Sequence, residues 1–346
     1  MNIRVLACGT CYFCGKSGRT LYEGLQDRLF GVPGDWSFRR CTNDRCGMLW
    51  LDPIPRLEDI GLAYRAYYTH QEIEANVSSS RQLTRRIINL VKAGYLSRKY
   101  GYLSRSFSAF QEWAGLFAYL NPLRRADLDA AVTYLEHREM GRLLDVGCGN
   151  GEALRTMSNL GWDVQGLDPD PEAVQRGQAL GLRIRQGSLR ECVYAPNQFD
   201  AVTLTHVIEH LHDPLSDLQE AHGLLKKGGL LVITTPNIGS LGHRLFRRNW
   251  VHLDPPRHLH IFASRPLAAM VDRAGFRVIK LFSTVRWAAY AFAHSMQIYW
   301  RGGSSLGVTP PQPLFALGWS LAFFEWSMLT FRPLLGEEIV LIAQKD

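Results

Sequence analysis

The sequence predicts an α/β fold built on a doubly wound, mostly parallel sheet, and three observations carry that prediction. A short apolar run, Leu143-Leu144-Asp145-Val146, breaks into glycine at every second place, Gly147-Cys148-Gly149-Asn150-Gly151, and a helical pattern opens at Glu152. About twenty residues on, a second strand pattern, Asp163-Val164-Gln165-Gly166-Leu167, ends at Asp168. From there to Phe282 strand and helix patterns alternate, as in a chain that winds back and forth over one sheet.

Glycines in such a loop permit positive φ and let a ligand approach the backbone with no Cβ in the way. The helix behind it offers unpaired N–H groups. The spacing is G-x-G-x-G with Asp145 two places before the first glycine, not the G-x-G-x-x-G of dinucleotide sites. A carboxylate at Asp145 suits a cationic ligand better than a pyrophosphate, and one at Asp168 can accept both hydroxyls of a ribose. On these residues the sequence resembles the class I S-adenosylmethionine (SAM)-dependent methyltransferases, over roughly 140–283 and 336–344. The resemblance implies a Rossmann-like sheet of seven strands whose last strand returns antiparallel between the fifth and sixth. It implies SAM as cofactor, with Asp145, Gly147, Cys148, Gly149 and Gly151 around its methionine part. Asp168 and Pro169 would lie at the ribose, Ser188 and Leu189 at the adenine, and Thr205 and His206 at the donor end. Glycines that serve only a turn, and an NAD site, are the competing readings.

The 346 residues are 46% hydrophobic and 21% charged, which excludes wholesale disorder. Net charge is +7 and uneven: Val77 to Gln111 holds Arg81, Arg85, Arg86, Lys92, Arg98, Lys99 and Arg105 and no acid. Such a block implies an anionic partner or a membrane surface, or else an ordinary solvated face. Met1–Cys8 is too short an apolar run for a signal peptide, and the cysteine usage reads as reducing and cytoplasmic. Peripheral contact with the inner face of the membrane is the expectation from composition. No residue pattern specifies an oligomeric state.

Three regions follow in order. Residues 1–54 read as a zinc-ribbon-like segment. Cys11 and Cys14 are spaced C-x2-C, and twenty-six residues later Cys41 and Cys46 are spaced C-x4-C. Two such knuckles supply four thiolates for a tetrahedral Zn2+, which would staple a segment too short for a core of its own. With no open position, that zinc would be structural. Reduced, metal-free cysteines and Cys8 as a competing ligand are the alternatives.

Residues 55–140 read as a helical lid or linker, basic and aromatic. Tyr64 to His70 is an aromatic cluster that holds Tyr67 and Tyr68. A paired-cysteine head, a proline linker and such tyrosines also resemble bacterial sugar-type methyltransferases, where the tyrosines lie near cofactor or substrate. Ile87, Ile88, Leu90, Val91 and Tyr95 give one apolar helical face, followed by the aromatic run Phe107, Phe110, Trp113, Phe117 and Tyr119. This composition suits an interfacial helix or a lid over the active site. Asp127 to Arg138 reads as the helix that leads into the first sheet strand.

Residues 141–346 read as the SAM-binding domain. Helices are expected over Pro171–Leu180, Leu215–Leu225 and Ser264–Ala274, the last capped by Ser264, with Lys226-Lys227-Gly228-Gly229 as a helix stop. Strands are expected over Gly181–Gln186, Phe199–Thr205, Leu230–Thr235, Phe276–Phe282 and Glu337–Gln344. Between the last two lies an apolar helical insertion, about 286–333. Its Leu314–Phe331 stretch carries one charge, Glu325. A two-helix insertion that dips into the membrane interface, a greasy acceptor cover and a packing surface all fit.

After the fifth strand comes Trp250-Val251-His252-Leu253-Asp254-Pro255-Pro256-Arg257-His258-Leu259-His260, an irregular segment rich in histidine. It resembles the D-P-P-R-H-L-H segment of bacterial SAM enzymes, which implies a place at the mouth of the acceptor pocket. His258 is the leading general-base candidate, with His260 and His210 next, because an imidazole with a pKa near ~6.5 can take a proton from a hydroxyl or an acidified carbon. Hydrogen bonds that fix the loop are the alternative role. The function expected is therefore SAM-dependent methyl transfer to a small molecule, a sugar or glycan precursor, or a lipid-linked acceptor. A nucleic-acid binder or RNA methyltransferase is the alternative, disfavoured because long apolar faces interrupt the basic block.

Overall fold

The computed structural model describes residues 3–64, 82–102, 109–137, 141–306 and 308–346. Tyr67 and Tyr68 of the aromatic cluster, and Arg81 and Arg105 of the basic block, lie outside them. The chain opens with β1 (Val5–Leu6), β2 (Gly18–Leu25), β3 (Trp36–Cys41), β4 (Leu49–Leu51) and β5 (Ile54–Pro55). Strands β2, β3 and β4 make an antiparallel sheet whose fourth member, His260–Ile261, arrives from far along the chain and pairs with Trp50 and Leu49. Trp36, Phe38, Leu49 and Leu51 bury against Trp250, Leu253, Leu259 and Ile261. The N-terminal sheet and the histidine-rich segment thus share one core.

Helices α1 (Gln82–Tyr100), α2 (Ala109–Gly115) and α3 (Pro122–Ala131) follow. The first two cross so closely that a Cβ on Gly94 would lie 1.9 Å from the carbonyl oxygen of Gln111. That crossing sets which face of α1 is covered. Tyr95 and Leu96 are buried, whereas Ile87 and Ile88, read as part of the same apolar face, are exposed. Asp129 on α3 accepts from the hydroxyls of Tyr95 and Tyr100 and from Lys99, and so ties α1 to α3. The helix expected over Asp127 to Arg138 ends at Ala131, because Thr133 and Tyr134 turn into the left-handed region at φ 47° and 58°.

The remaining elements are β6 (Arg142–Val146), α4 (Glu152–Asn159), β7 (Asp163–Asp168), α5 (Pro171–Ala179), β8 (Ile184–Gln186), β9 (Phe199–Thr205) and α6 (Pro214–Leu224). Then come β10 (Leu225–Pro236), α7 (Leu241–Phe246), β11 (His260–Ile261), α8 (Ser264–Arg273), β12 (Phe276–Thr284), α9 (Ala288–Arg301), α10 (Gln312–Leu329) and β13 (Glu338–Lys345). The large sheet has seven strands in the order β12-β13-β10-β9-β6-β7-β8. Strand β13 runs antiparallel to both neighbours and the other neighbouring pairs are parallel. This is the Rossmann-like arrangement the sequence led us to expect. Strand alternation divides the core between two faces. Leu144, Val202, Leu231, Ile233 and Leu341 join one cluster with α6 and α8, and Leu143, Ala201, Val232, Val340 and Ile342 join another with α1 and α4.

Two local expectations are corrected. Lys226 to Gly229 does not end a helix. It lies inside β10, where a register shift between Leu225 and Leu230 absorbs the glycines and Lys226 reaches Asp200 at 2.9 Å. Ser264 does not cap α8, whose N-cap is Ala263 with no side-chain hydrogen bond.

The insertion is a pair of helices. α9 is largely buried, and α10 crosses it at Gly318, where a Cβ would meet the Ala289 carbonyl oxygen at 2.3 Å. The outer side of α10 exposes Leu317, Phe323, Phe324 and Trp326. Its one charge, Glu325, is wholly buried with no hydrogen-bond partner on either oxygen among the described residues, and burial first, then the charge of Glu337, hold its carboxyl well above the usual range. Among the described residues no helix is long and apolar enough to cross a membrane.

Candidate active site

Strand β6 sits between β7 and β9, and the chain leaves it to one side and returns on the other. Ligands in such sheets lie in the crevice beyond the strand ends at this switch point. The glycine loop occupies it. Gly147, Gly149 and Gly151 all have positive φ, at 67°, 54° and 79°. The outer two are packed: a Cβ on Gly147 would meet Val207 at 2.4 Å, and one on Gly151 would meet Leu182 at 2.4 Å. The middle one is open, with none of the described residues within 4 Å of a Cβ on Gly149. So the loop is closed toward the protein and clear toward the crevice. Gly151 gives α4 no side-chain cap, and of its first N–H groups Glu152 N donates to Asn150 Oδ1 at 3.3 Å.

Strand β7 holds this loop in place. The Leu167 carbonyl accepts from Gly147 N at 2.7 Å, and Asp168 Oδ2 accepts from Gly149 N at 2.7 Å. Asp168 Oδ1 accepts from Asp170 N, and the Asp168 carbonyl accepts from Gly187 N at 3.0 Å, which sets Ser188 and Leu189 beside the end of β7. The buried Cys148 thiol is pushed up, by burial first and then by Asp145 and Asp168. Asp145 is buried under the loop and takes the Thr203 hydroxyl at 2.6 Å. Burial pushes its carboxyl up to about 7, with the Thr203 hydrogen bond opposing and the charge of Asp168 adding. These residues form one continuous set along the ends of β6, β7 and β9, with Thr205 and His206 completing it on the β9 side.

Past β9 the chain makes a buried polar network. His206 is forced to φ 54°, and its two ring nitrogens meet two carboxylates, Glu209 at 3.3 Å and Glu338 at 2.8 Å. Carboxylates only accept, so both nitrogens carry hydrogen. Burial opposes that charge, but Glu338 and Glu209 hold His206 up at about 9. Glu209, itself held down to about 2 by His206 against burial, also accepts from Thr235. One ligand atom from each of Glu209, His210 and His258 lies within 4.8 Å of the others. His210 Nδ1 lies 2.9 Å from the Arg257 carbonyl and 2.9 Å from the Tyr64 hydroxyl, and His258 Nδ1 lies 2.7 Å from the His252 carbonyl. A carbonyl needs a donor, so each ring carries a hydrogen on Nδ1. The rings meet edge to face at 4.8 Å, and Asp254 Oδ2 is 4.0 Å from His258 Nε2. Burial, then His258, pushes His210 down to about 4.

Arg257 explains the rest of the D-P-P-R-H-L-H segment. Fully buried, it forks onto Asp27 with two bonds of 2.8 Å, takes Asp254 on Nε at 3.1 Å, and lies 4.4 Å from the Phe30 ring centre. It therefore locks the histidine loop to the N-terminal sheet. His260 is placed apart from His210 and His258. It sits in β11 against Tyr12 at 5.4 Å, with neither ring nitrogen hydrogen-bonded among the described residues, and burial pushes it down to about 4. Residues that sequence reasoning did not single out are Thr203, Asp254 as partner of His258, and Glu338. The signal available for Glu338 was an acidic pair, Glu337-Glu338, at the start of a strand that ends at the crevice.

In the N-terminal unit Cys11, Cys14, Cys41 and Cys46 converge, with Sγ atoms within 4.8 Å of one another. Cys11 and Cys46 are 3.7 Å apart and Cys14 and Cys41 3.3 Å. Four sulfurs at ~2.3 Å from one zinc ion would stand close to such separations. Gly15 and Gly47, both with positive φ, close the knuckles by donating to the carbonyls of Cys11 and Asn43. The donor set fits zinc. Cys8 stands outside this group.

A methyltransferase-domain family model matches residues 120–281. A ubiquinone biosynthesis O-methyltransferase of Ruegeria pomeroyi is 31% identical over 196 residues, 49% of this chain and 77% of that protein. One of the same name from Ruegeria sp. is 34% identical over 166 residues, 42% of this chain and 66% of that protein. Among solved structures, a SAM-dependent methyltransferase of Mesorhizobium loti gives a TM-score of 0.44 at 18% identity, over 64% of this chain and 98% of that one. One from Archaeoglobus fulgidus gives 0.43 at 18% identity, over 69% and 100%. The chain belongs to the class I SAM-dependent methyltransferases.

Proposed function

We propose that this methyltransferase modifies a hydroxyl group of a small lipid-linked acceptor, a prenylated phenol, and that Cys11, Cys14, Cys41 and Cys46 hold a structural zinc. The observation that carries the hydroxyl reading is His258, whose Nδ1 is held by the His252 carbonyl and whose Nε2 lies 4.0 Å from Asp254. Such an imidazole can take the proton as the oxygen is methylated, and Asp254 then faces the imidazolium. The name of the relatives, ubiquinone biosynthesis O-methyltransferase, points the same way. The lipid reading draws support from the apolar surface: Phe323, Phe324 and Trp326 on α10, Phe331 just past it, and Trp113 and Phe117 near α2 are exposed.

SAM supplies an electrophilic methyl carbon when bound, so the protein's task is alignment and management of one proton. In this reading the open face at Gly149 admits the methionine part, Asp168 takes the ribose hydroxyls, and Ser188 and Leu189 border the adenine. Asp145 carries a testable electrostatic consequence. Its carboxyl titrates near 7 without ligand, and a nearby ammonium or sulfonium favours the ionised form. SAM binding should therefore release a proton near neutrality. Affinity should rise with pH up to about 7 and fall by up to about tenfold per pH unit below it. Calorimetry in buffers of different ionisation heat would read the proton. Asp145→Asn should flatten the dependence, and an unflattened profile would exclude Asp145 from the cation's surroundings.

The acceptor is tested with methyl-labelled SAM and a bacterial lysate, followed by separation of organic, aqueous and nucleic-acid fractions. Label in the organic phase is the expected outcome. Label confined to aqueous small molecules would replace the prenylated phenol by a free or nucleotide-linked sugar. Label in nucleic acid would replace both by an RNA substrate.

A further inference from the structure

An open groove of about 370 Å³ lies between β2 and the turn that follows α7, with no part of the glycine loop on its lining. Thr20, Leu21, Tyr22 and Glu23 form one wall, and Arg247 and Arg248 the other. The volume is that of a small-ligand site, ~300–1,000 Å³. Arg248 also borders a narrower cavity that reaches Trp250, Asp254 and Pro255, so the groove stands behind the histidine-rich segment. Two bonds brace the walls against each other. The Tyr22 hydroxyl is 2.9 Å from His243 Nε2, and Arg248 Nη2 donates to the Glu23 carbonyl at 3.0 Å.

Positive charge is concentrated here. Arg19 and Arg40 face each other directly across β2 and β3, one place from Thr20. Like charges set opposite one another destabilise a strand pair. Burial first, and then the charges of Arg40, Arg244 and Arg247, push His243 down to about 4 against a bond to the Ile238 backbone, so His243 adds no charge of its own. Arg28 is likewise pulled down by burial and then by the charge of Arg248. Among the described residues none of Arg40, Arg244, Arg247 and Arg248 meets a carboxylate within 4.0 Å. Glu23 is the acid on the lining, and four guanidiniums against one carboxylate leave three positive charges unbalanced.

The backbone is strained to present one of these cations. Arg247 stands at φ 49° and ψ −116°, where glycine is the usual occupant. Strain of this kind persists where the surroundings fix it, and it clusters at ligand sites. A guanidinium fork matches two oxygens of a phosphate at once. A single carboxylate ligand would balance one of the unbalanced charges, whereas a diphosphate carries enough to balance them all.

We propose that the groove between β2 and the turn after α7 binds the diphosphate group of a small molecule, with Arg247 and Arg248 as its forks and Arg40 and Arg244 supplying further charge. This site is separate from the crevice where the methyl group moves, and it does not rest on the phenol reading.

The test is equilibrium dialysis of labelled inorganic pyrophosphate against the full chain loaded with S-adenosylhomocysteine, at about 0.15 M salt so that diffuse surface charge is screened. Pyrophosphate should bind ~10-fold or more tighter than sulfate. Arg247→Gly and Arg248→Lys should each weaken it by ~10-fold or more and leave SAM affinity within about twofold. Arg248→Lys keeps the charge and removes the fork. Glycine takes a positive φ without strain, so Arg247→Gly should melt no lower than the wild type, and its loss of binding is then a loss of the side chain and not of the fold. A further gain in affinity with uridine diphosphate would support the site and identify a nucleotide as carrier of the group; a gain with farnesyl diphosphate would support it and identify an isoprenoid. Pyrophosphate that binds no tighter than sulfate, or variants that bind it as the wild type does, would overturn the inference and leave the methyltransferase reading untouched.

Discussion

Cys41→Ser is expected to strip the protein of about one bound zinc per chain, lower its melting temperature and abolish methyl transfer, although no cysteine of the cluster belongs to the reacting site. The reason is the shared core. In small zinc modules metal binding carries ~10–16 kcal/mol of the folding free energy, and residues 3–64 have few other means of closing their two knuckles. The sheet that the knuckles brace holds β4, and β4 carries β11 through Trp50 and Leu49. Asp27, also in this unit, accepts from both terminal guanidinium nitrogens of Arg257, the residue before His258. Loss of the metal should therefore loosen residues 250–262 first. Metal analysis, thermal melting and hydrogen exchange over that segment would read the three effects. A Cys41→Ser protein that melts and turns over like the wild type would remove the metal from the account.

What the sequence made legible was local. The glycine loop, Asp168 at the end of the next strand, and the C-x2-C and C-x4-C spacings each specify their geometry within a few residues, and all were read from spacing alone. The antiparallel return of β13 came through resemblance to a family. What was hidden is non-local. Nothing near His260 announces that it pairs with Trp50, about two hundred residues away. Nothing near Arg257 in sequence announces Asp27 as its partner, 230 residues away. Ile87 and Ile88 keep the apolar periodicity of a covered face, yet the Gly94 crossing with α2 decides which part of α1 is covered. Thr133, Tyr134 and His206 are ordinary residues for helix or strand, and tertiary packing alone forces their left-handed backbone.

His258→Ala is expected to reduce turnover by ~10²–10⁴-fold while SAM affinity stays within about twofold, the range over which a positioned base contributes. Four histidines stand in or near this region and their surroundings separate them. His206 is doubly protonated between Glu209 and Glu338, and so has no lone pair to offer. His260 is packed against Tyr12, outside the Glu209–His210–His258 group. His210 and His258 both hold Nδ1 on a backbone carbonyl, but only His258 has a carboxylate, Asp254, 4.0 Å from Nε2. As the proton arrives, Asp254 stabilises the imidazolium, while the His252 carbonyl keeps Nδ1–H fixed and the ring in orientation. Loss of packing alone could also slow a variant, so the deciding readout is rescue. Added imidazole should restore part of the His258→Ala rate and none of the rate of a His260→Ala control. Full turnover in His258→Ala, or a defect that imidazole leaves unchanged and that weakens SAM binding in parallel, would assign His258 to the architecture of the loop instead of the proton.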